Sequence, residues 1–127
     1  MFNHFQKNIS HYVIEEIDKA NIVRYAADFD SEFTHLENAH ILGQESTYWH
    51  VKVHILMLLW GFRNQQHKEI YGQILRVIGA ATKTAIGLVP QGNTGGSNIS
   101  PFKVLPIKPE FEKIIKNAKL KNSKDNK

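Results

Sequence analysis

Apolar residues recur with a helical period along most of the first 88 positions, and that period predicts an all-α chain of about four helices. Phe5, Ile9, Tyr12, Val13, Ala20 and Val23 trace the apolar face of a first helix from Ile9 to Ala26, and Glu16 falls at the centre of that face. A second helix is expected over Ser31 to Leu42, with Asp30 or Ser31 as N-cap and Gly43 as a stop. Its stripe is Phe29, Phe33, Leu36 and His40. The third opens at Ser46 or Thr47 and ends at Gly61. It is apolar almost all the way round, so Lys52, its only formally charged residue, marks the wet side. A fourth runs from near Gln65 to Ile86, crossed by Gly72 and Gly79 at some cost in helix propensity. Short loops imply antiparallel neighbours.

Beyond residue 88 the pattern becomes irregular. Gly87 to Pro101 is dense in turn formers and reads as a structured loop. Phe102, Val104, Leu105, Ile107 and Phe111, separated by Pro101, Pro106 and Pro109, read as an extended strap laid on the bundle. The expected organisation is one helical domain over 1–111 and a Lys-rich, disordered tail over 112–127. A shift of 33 residues superimposes Phe29 on Phe62, Ala39 on Gly72, Ile41 on Ile74 and Leu42 on Leu75. That echo, with the segment from Asp28 to His40, suggests a partly tetratricopeptide-like arrangement, although stacked repeats usually need about three units.

Four polar residues interrupt the apolar phase. His50 and His54, spaced i, i+4, share a face of the third helix about 180° from Lys52. His40 sits mid-stripe on the second helix, with Glu37 three residues before it and Gln44 four after. Glu16 occupies the corresponding place on the first, where an acid requires a partner. Neutral imidazole is the commonest side-chain metal ligand, and two at i, i+4 can clasp one ion. The alternative is that each histidine is a core residue satisfied by a buried acid, amide or carbonyl.

Composition narrows the chemistry. With no cysteine, disulfides, thiolate sites and cysteine catalysis are excluded, so any metal must use His, carboxylate, amide or water. The formal charge of +4 lies entirely from Lys108 onward, where seven lysines face Glu110, Glu112 and Asp125; residues 1–107 balance. A basic end with few aromatics is poor ground for nucleic-acid binding. No secretory signal is read at the N-terminus and the longest apolar run, Ile55 to Trp60, is too short for a bilayer, so a cytoplasmic protein with no membrane partner is expected. The stretch from Gly92 to Asn98 can present backbone amides to an anion but lacks the lysine of a phosphate loop, and a turn-rich loop explains it as well.

Three motifs in order, His35-Leu-Glu-x-Ala-His40-x-Leu-Gly-Gln44, His50-x-x-x-His54 and Gly92-Asn-Thr-Gly-x-x-Asn98-Ile-Ser100 with Pro106-Ile after it, resemble a small bacterial family catalogued as domain of unknown function 3703. The resemblance spans roughly residues 10 to 111 and names no activity. It implies that His35, Glu37, His40, Gln44, His50, His54, Asn93 and Asn98 are family-pattern positions. Lys108 departs from the pattern, which has proline there.

The leading expectation is a divalent transition metal, zinc, copper or iron(II), held by His40, His50 and His54, with Glu37 or Glu16 as a fourth ligand or supporting base. His35 is rotated about 140° from His40 on a regular helix and is expected outside the group. The three imidazoles should place coordinating nitrogens within about 5 Å of one another. Metal-dependent chemistry would need an open coordination position. The competing expectation is a non-enzymatic module with a protein partner, using a groove between helix pairs.

Overall fold

In a computed structural model, the residues described are 4–85, 95–97 and 104–120, those at 82–85 by backbone alone. They form five helices and no strand: α1 (His4–Tyr25), α2 (Phe29–Gly43), α3 (Thr47–Arg63), α4 (His67–Ala85) and α5 (Pro109–Leu120). α1 packs chiefly on α2 and α3 chiefly on α4, with α2 joining the two pairs and α5 lying against α1 and α2.

Local chemistry sets the turns. α1 ends where Asp28 N donates to Val23 O and Ala27 N to Arg24 O, both at 2.9 Å, with Ala27 held at φ 60°. This is the paired-bond helix stop that usually employs glycine. Asp28 then caps α2: its Oδ1 accepts from Ser31 N at 3.2 Å and its Oδ2 from Ser31 Oγ at 2.7 Å. The cap thus precedes the expected Asp30 or Ser31, because only from Asp28 does a carboxylate reach the free amide in the first turn. The same stop recurs after α3, with Gln65 at φ 54° and Gln66 N bonded to Gly61 O at 2.9 Å. Ser46 caps α3 through Trp49 N.

The core is formed by Ile9, Val13 and Ala20 of α1, Leu36, Ala39 and Leu42 of α2, Trp49, Val53 and Met57 of α3, and Phe111, Ile115 and Ala118 of α5. Polar ties cross it. Glu32, 2% exposed, takes both arms of Arg63 at 2.7 and 3.1 Å, a bidentate pair that fixes the end of α3 to the start of α2. Ser46 Oγ donates to Gln6 Oε1 at 2.7 Å, and Trp49 Nε1 donates to Ser10 Oγ at 2.8 Å, joining α1 to α3.

The fifth helix corrects the expected strap and tail. Residues 104–108 form no regular element, but Pro109 starts a helix instead of prolonging the strap, and residues 112–120 are helical. Proline's fixed φ and missing N–H suit the first helical position. Glu110 and Glu112 in the first turn and Lys119 in the last complement the helix dipole. Phe111, Ile115 and Ala118 form the buried stripe, Asn8 Nδ2 donates to Ala118 O at 3.0 Å, and Lys119 Nζ meets Glu45 at 2.9 Å.

Among the described residues, no helix is long and apolar enough to cross a membrane.

Candidate metal centre

α2 and α3 carry their apolar faces toward each other, and the polar exceptions on those faces meet. His40, His50 and His54 are all buried, and each offers a ring nitrogen within 4.8 Å of the others'. Their ring centroids stand 4.7 to 4.9 Å apart. The closest approach is between His40 Nε2 and His54 Nε2, at 3.1 Å. Two imidazoles on a tetrahedral ion with bonds of about 2.0 to 2.1 Å stand about 3.3 Å apart, so this pair is close to coordinating geometry.

Which nitrogen of His54 carries the proton follows from its other neighbour. Gln73 of α4, with no exposed surface, has its amide nitrogen facing two pure acceptors, Gly95 O at 2.7 Å and a carboxylate oxygen of Glu69. The amide therefore cannot be flipped, and Gln73 Oε1 must be the atom 2.6 Å from His54 Nδ1. His54 Nδ1 then carries the proton and donates it to Gln73. In the neutral ring this leaves a lone pair on Nε2, aimed at His40. A histidine ligand held through its second nitrogen by a hydrogen-bond acceptor is the usual support of a metal site.

The segment 95–97 closes over the group. Gly95 has φ 86°, and a Cβ there would stand 2.5 Å from His40 Cδ2 and 2.8 Å from His40 Nε2. Only glycine fits, for both its backbone sign and its space. Ser97 anchors the segment to α4: its N–H faces both Glu69 oxygens at 3.1 and 3.2 Å and its Oγ donates to Glu69 Oε1 at 2.9 Å. Gly72 permits that approach, since a Cβ there would run into Ser97 Cβ.

Neither Glu16 nor Glu37 is among the clustered donors. Glu16 is buried, but its Oε1 accepts from His35 Nδ1 at 3.0 Å and Asn38 Nδ2 at 2.9 Å, and its Oε2 from Lys19 at 3.2 Å. Burial pushes its carboxyl pKa up, but the donors His35, Asn38 and Lys19 together outweigh that and hold it below the ordinary glutamate value. The expected Glu16–His40 pairing is thus replaced by Glu16–His35, because His35 and Asn38, not His40, share the α2 face turned toward Glu16. This pair borders a separate cleft of about 260 Å³ with Tyr12, Lys108 and Phe111. His35 accordingly stands outside the imidazole group. Glu37 is half-buried on α2 and is not one of the three clustered donors. Gln44 is buried at the C-cap of α2, its Oε1 without a hydrogen-bond partner among the described residues. Asn93 and Asn98 lie outside the described residues.

Two residues that build the site, Glu69 and Gln73, escaped the sequence reading, and Gly95 and Ser97 were expected only within a motif read as a turn-rich loop. Gln73 was legible in principle. It falls in phase with Ile70 and Ala80, both buried, and is therefore a polar residue on a core stripe like Glu16. Gly72 looked like a propensity defect because its role depends on a segment more than 20 residues away.

The family model described as protein of unknown function (DUF3703) matches residues 7–115, and the chain belongs to that family. Neither the curated proteins nor the solved structures give a match.

Proposed function

We propose that this DUF3703 member binds one divalent transition metal through His40, His50 and His54. The observation that carries the reading is the convergence of three buried imidazole nitrogens within 4.8 Å, with the His54 ring held at Nδ1 by Gln73. The 3.1 Å approach of His40 Nε2 to His54 Nε2 and ring centroids 4.7 to 4.9 Å apart support a shared ion, since nitrogens that ligate one ion must stand this close. On ion binding, the single proton of the neutral His40 ring would move from Nε2 to Nδ1, so that Nε2 presents its lone pair to the metal. All three donors are neutral nitrogens, which suits zinc and copper better than the two-histidine, one-carboxylate arrangement of non-haem iron. Three protein ligands leave a fourth position for water or substrate, so zinc there would lower the pKa of a bound water and supply a nucleophile.

Calorimetric titration of metal-stripped protein with zinc, copper and iron(II) at pH 7.5 tests this. One equivalent of zinc or copper should bind to the wild type and none to the His50→Ala/His54→Ala variant. No uptake by the wild type of any of the three overturns the reading.

A second reading has its own support. Tyr71, Leu75 and Ile78 recur along α4 and are each at least 65% exposed, an apolar stripe suited to a protein partner on a tetratricopeptide-like pair of hairpins. Concentration-dependent association that a Leu75→Glu variant abolishes would favour it.

A further inference from the structure

The imidazole group and the segment 95–97 share more than proximity. Ser97 donates its N–H and hydroxyl to Glu69; Glu69 accepts from the Gln73 amide nitrogen; that nitrogen also donates to Gly95 O at 2.7 Å; and Gln73 Oε1 accepts from His54 Nδ1 at 2.6 Å. The segment therefore reaches His54 through two side chains. It reaches His40 directly, because the Gly95 backbone lies against that ring.

We propose that Glu69 and Gln73 couple the metal centre to the segment 95–97, so that ion binding at His54 and docking of the segment over His40 favour each other. The inference rests on the metal reading above and assigns that site its regulation. The physical basis is polarisation along a buried hydrogen-bond chain. An ion on His54 Nε2 withdraws electron density from the ring and makes Nδ1–H a stronger donor to Gln73. The polarised amide in turn donates more strongly to Gly95 O and to Glu69. Conversely, a docked segment fixes the Gln73 amide in the one orientation that keeps the His54 proton on Nδ1. A lifted segment removes the Gly95 acceptor and the Ser97 donors, and the amide is then oriented by Glu69 alone. Reciprocity follows from linkage: the factor by which docking tightens metal binding equals the factor by which metal tightens docking. Glu69 and Gln73 are thus positioning residues that contact no ion.

The test uses the full chain with zinc as probe. Two quantities are read: hydrogen exchange of the Ser97 amide with and without zinc, and zinc affinity by competition with a chromophoric chelator. In the wild type, zinc should slow Ser97 exchange well beyond its effect on helix-interior amides of α1. Gln73→Met, which keeps the volume and removes the polar link, should weaken zinc about 10- to 100-fold, the usual cost of a lost supporting partner. It should also erase the zinc effect on Ser97 exchange. The d–d spectrum of cobalt in place of zinc should still report three nitrogen donors, which separates lost coupling from a lost site. Ser97→Ala touches only the segment and serves if Gln73→Met does not fold; it should weaken zinc by a smaller factor and reduce the zinc-induced protection. Wild-type zinc affinity in either folded variant, or Ser97 exchange indifferent to zinc in the wild type, overturns the coupling while leaving the metal site standing. Failure of the wild type to bind zinc overturns both.

Discussion

Zinc should raise the melting temperature of this protein, and the size of the shift can be worked from the structure. The donors come from α2 (His40) and α3 (His50 and His54), so their convergence exists only when the two helices are packed, and the ion binds the native state in preference to the unfolded chain. The His40–His54 nitrogen separation of 3.1 Å is already near the coordinating value, and little reorganisation opposes binding. At a free zinc concentration one hundred times the dissociation constant, native-state binding adds about 2.7 kcal/mol to the unfolding free energy. With 127 residues and an unfolding entropy of about 2.1 cal/mol/K per residue, each kcal/mol moves the midpoint by roughly 4 °C. The expected rise is about 10 °C, measured by scanning calorimetry in zinc-buffered and chelator-containing solutions at pH 7.5. His50→Ala/His54→Ala should abolish the zinc increment. His35→Ala should lower the baseline, since it breaks the bond to Glu16, yet keep the increment intact. The increment should fade below about pH 6, where unperturbed imidazoles take up protons in competition with the metal. Equal zinc increments in the wild type and the double variant, or an increment lost with His35→Ala, would refute the assignment of the ligands.

Two further outcomes bear on the scaffold. Because the Glu16 carboxyl is held below its ordinary pKa, its contribution to stability is present above the unfolded value of about 4.3 and disappears as pH falls through the folded value. Glu16→Gln should therefore cost about 1.5 to 3 kcal/mol near neutrality, where the hydrogen bonds to an ionised group are lost, and progressively less below about pH 4.3; a gap in urea denaturation that stays constant from pH 7 to pH 3 contradicts this. Ala27→Gly should stabilise the fold by about 0.5 to 1 kcal/mol, because alanine at φ 60° bears a steric cost that glycine avoids, and a lower melting midpoint would show that the α1–α2 turn is not strained.

The buried polar groups divide into two kinds, and the division explains why the imidazole group stands apart. Glu32 with Arg63 and Glu16 with His35, Asn38 and Lys19 are closed sets, each a carboxylate matched by several donors. They tie α2 to α3 and α1 to α2, and leave the acid with no unmet demand. At His40, His50 and His54 three rings cluster instead, with no carboxylate from the described residues among the clustered donors. Three imidazoles brought together in the interior form a nitrogen donor set that a transition-metal cation can use.

The sequence by itself determined the helices and the inward faces of α1, α2 and α3, because apolar periodicity is a local property that neighbouring residues express together. It also determined that Glu16, His40, His50 and His54 are interior residues, since phase alone separates them from Lys52. α5 was equally present, in Pro109 at a helix start, acids in the first turn and the Phe111–Ile115–Ala118 stripe, but the nearby prolines were read as a strap. Only the tertiary structure decided which buried groups meet. Helical phase fixes an angle about one axis, whereas partnership depends on the rotation and axial offset of a second helix. Those offsets place Glu16 against His35 instead of His40, and bring Gln73 and Gly95, 19 and 41 residues after His54, to the two sides of one imidazole pair.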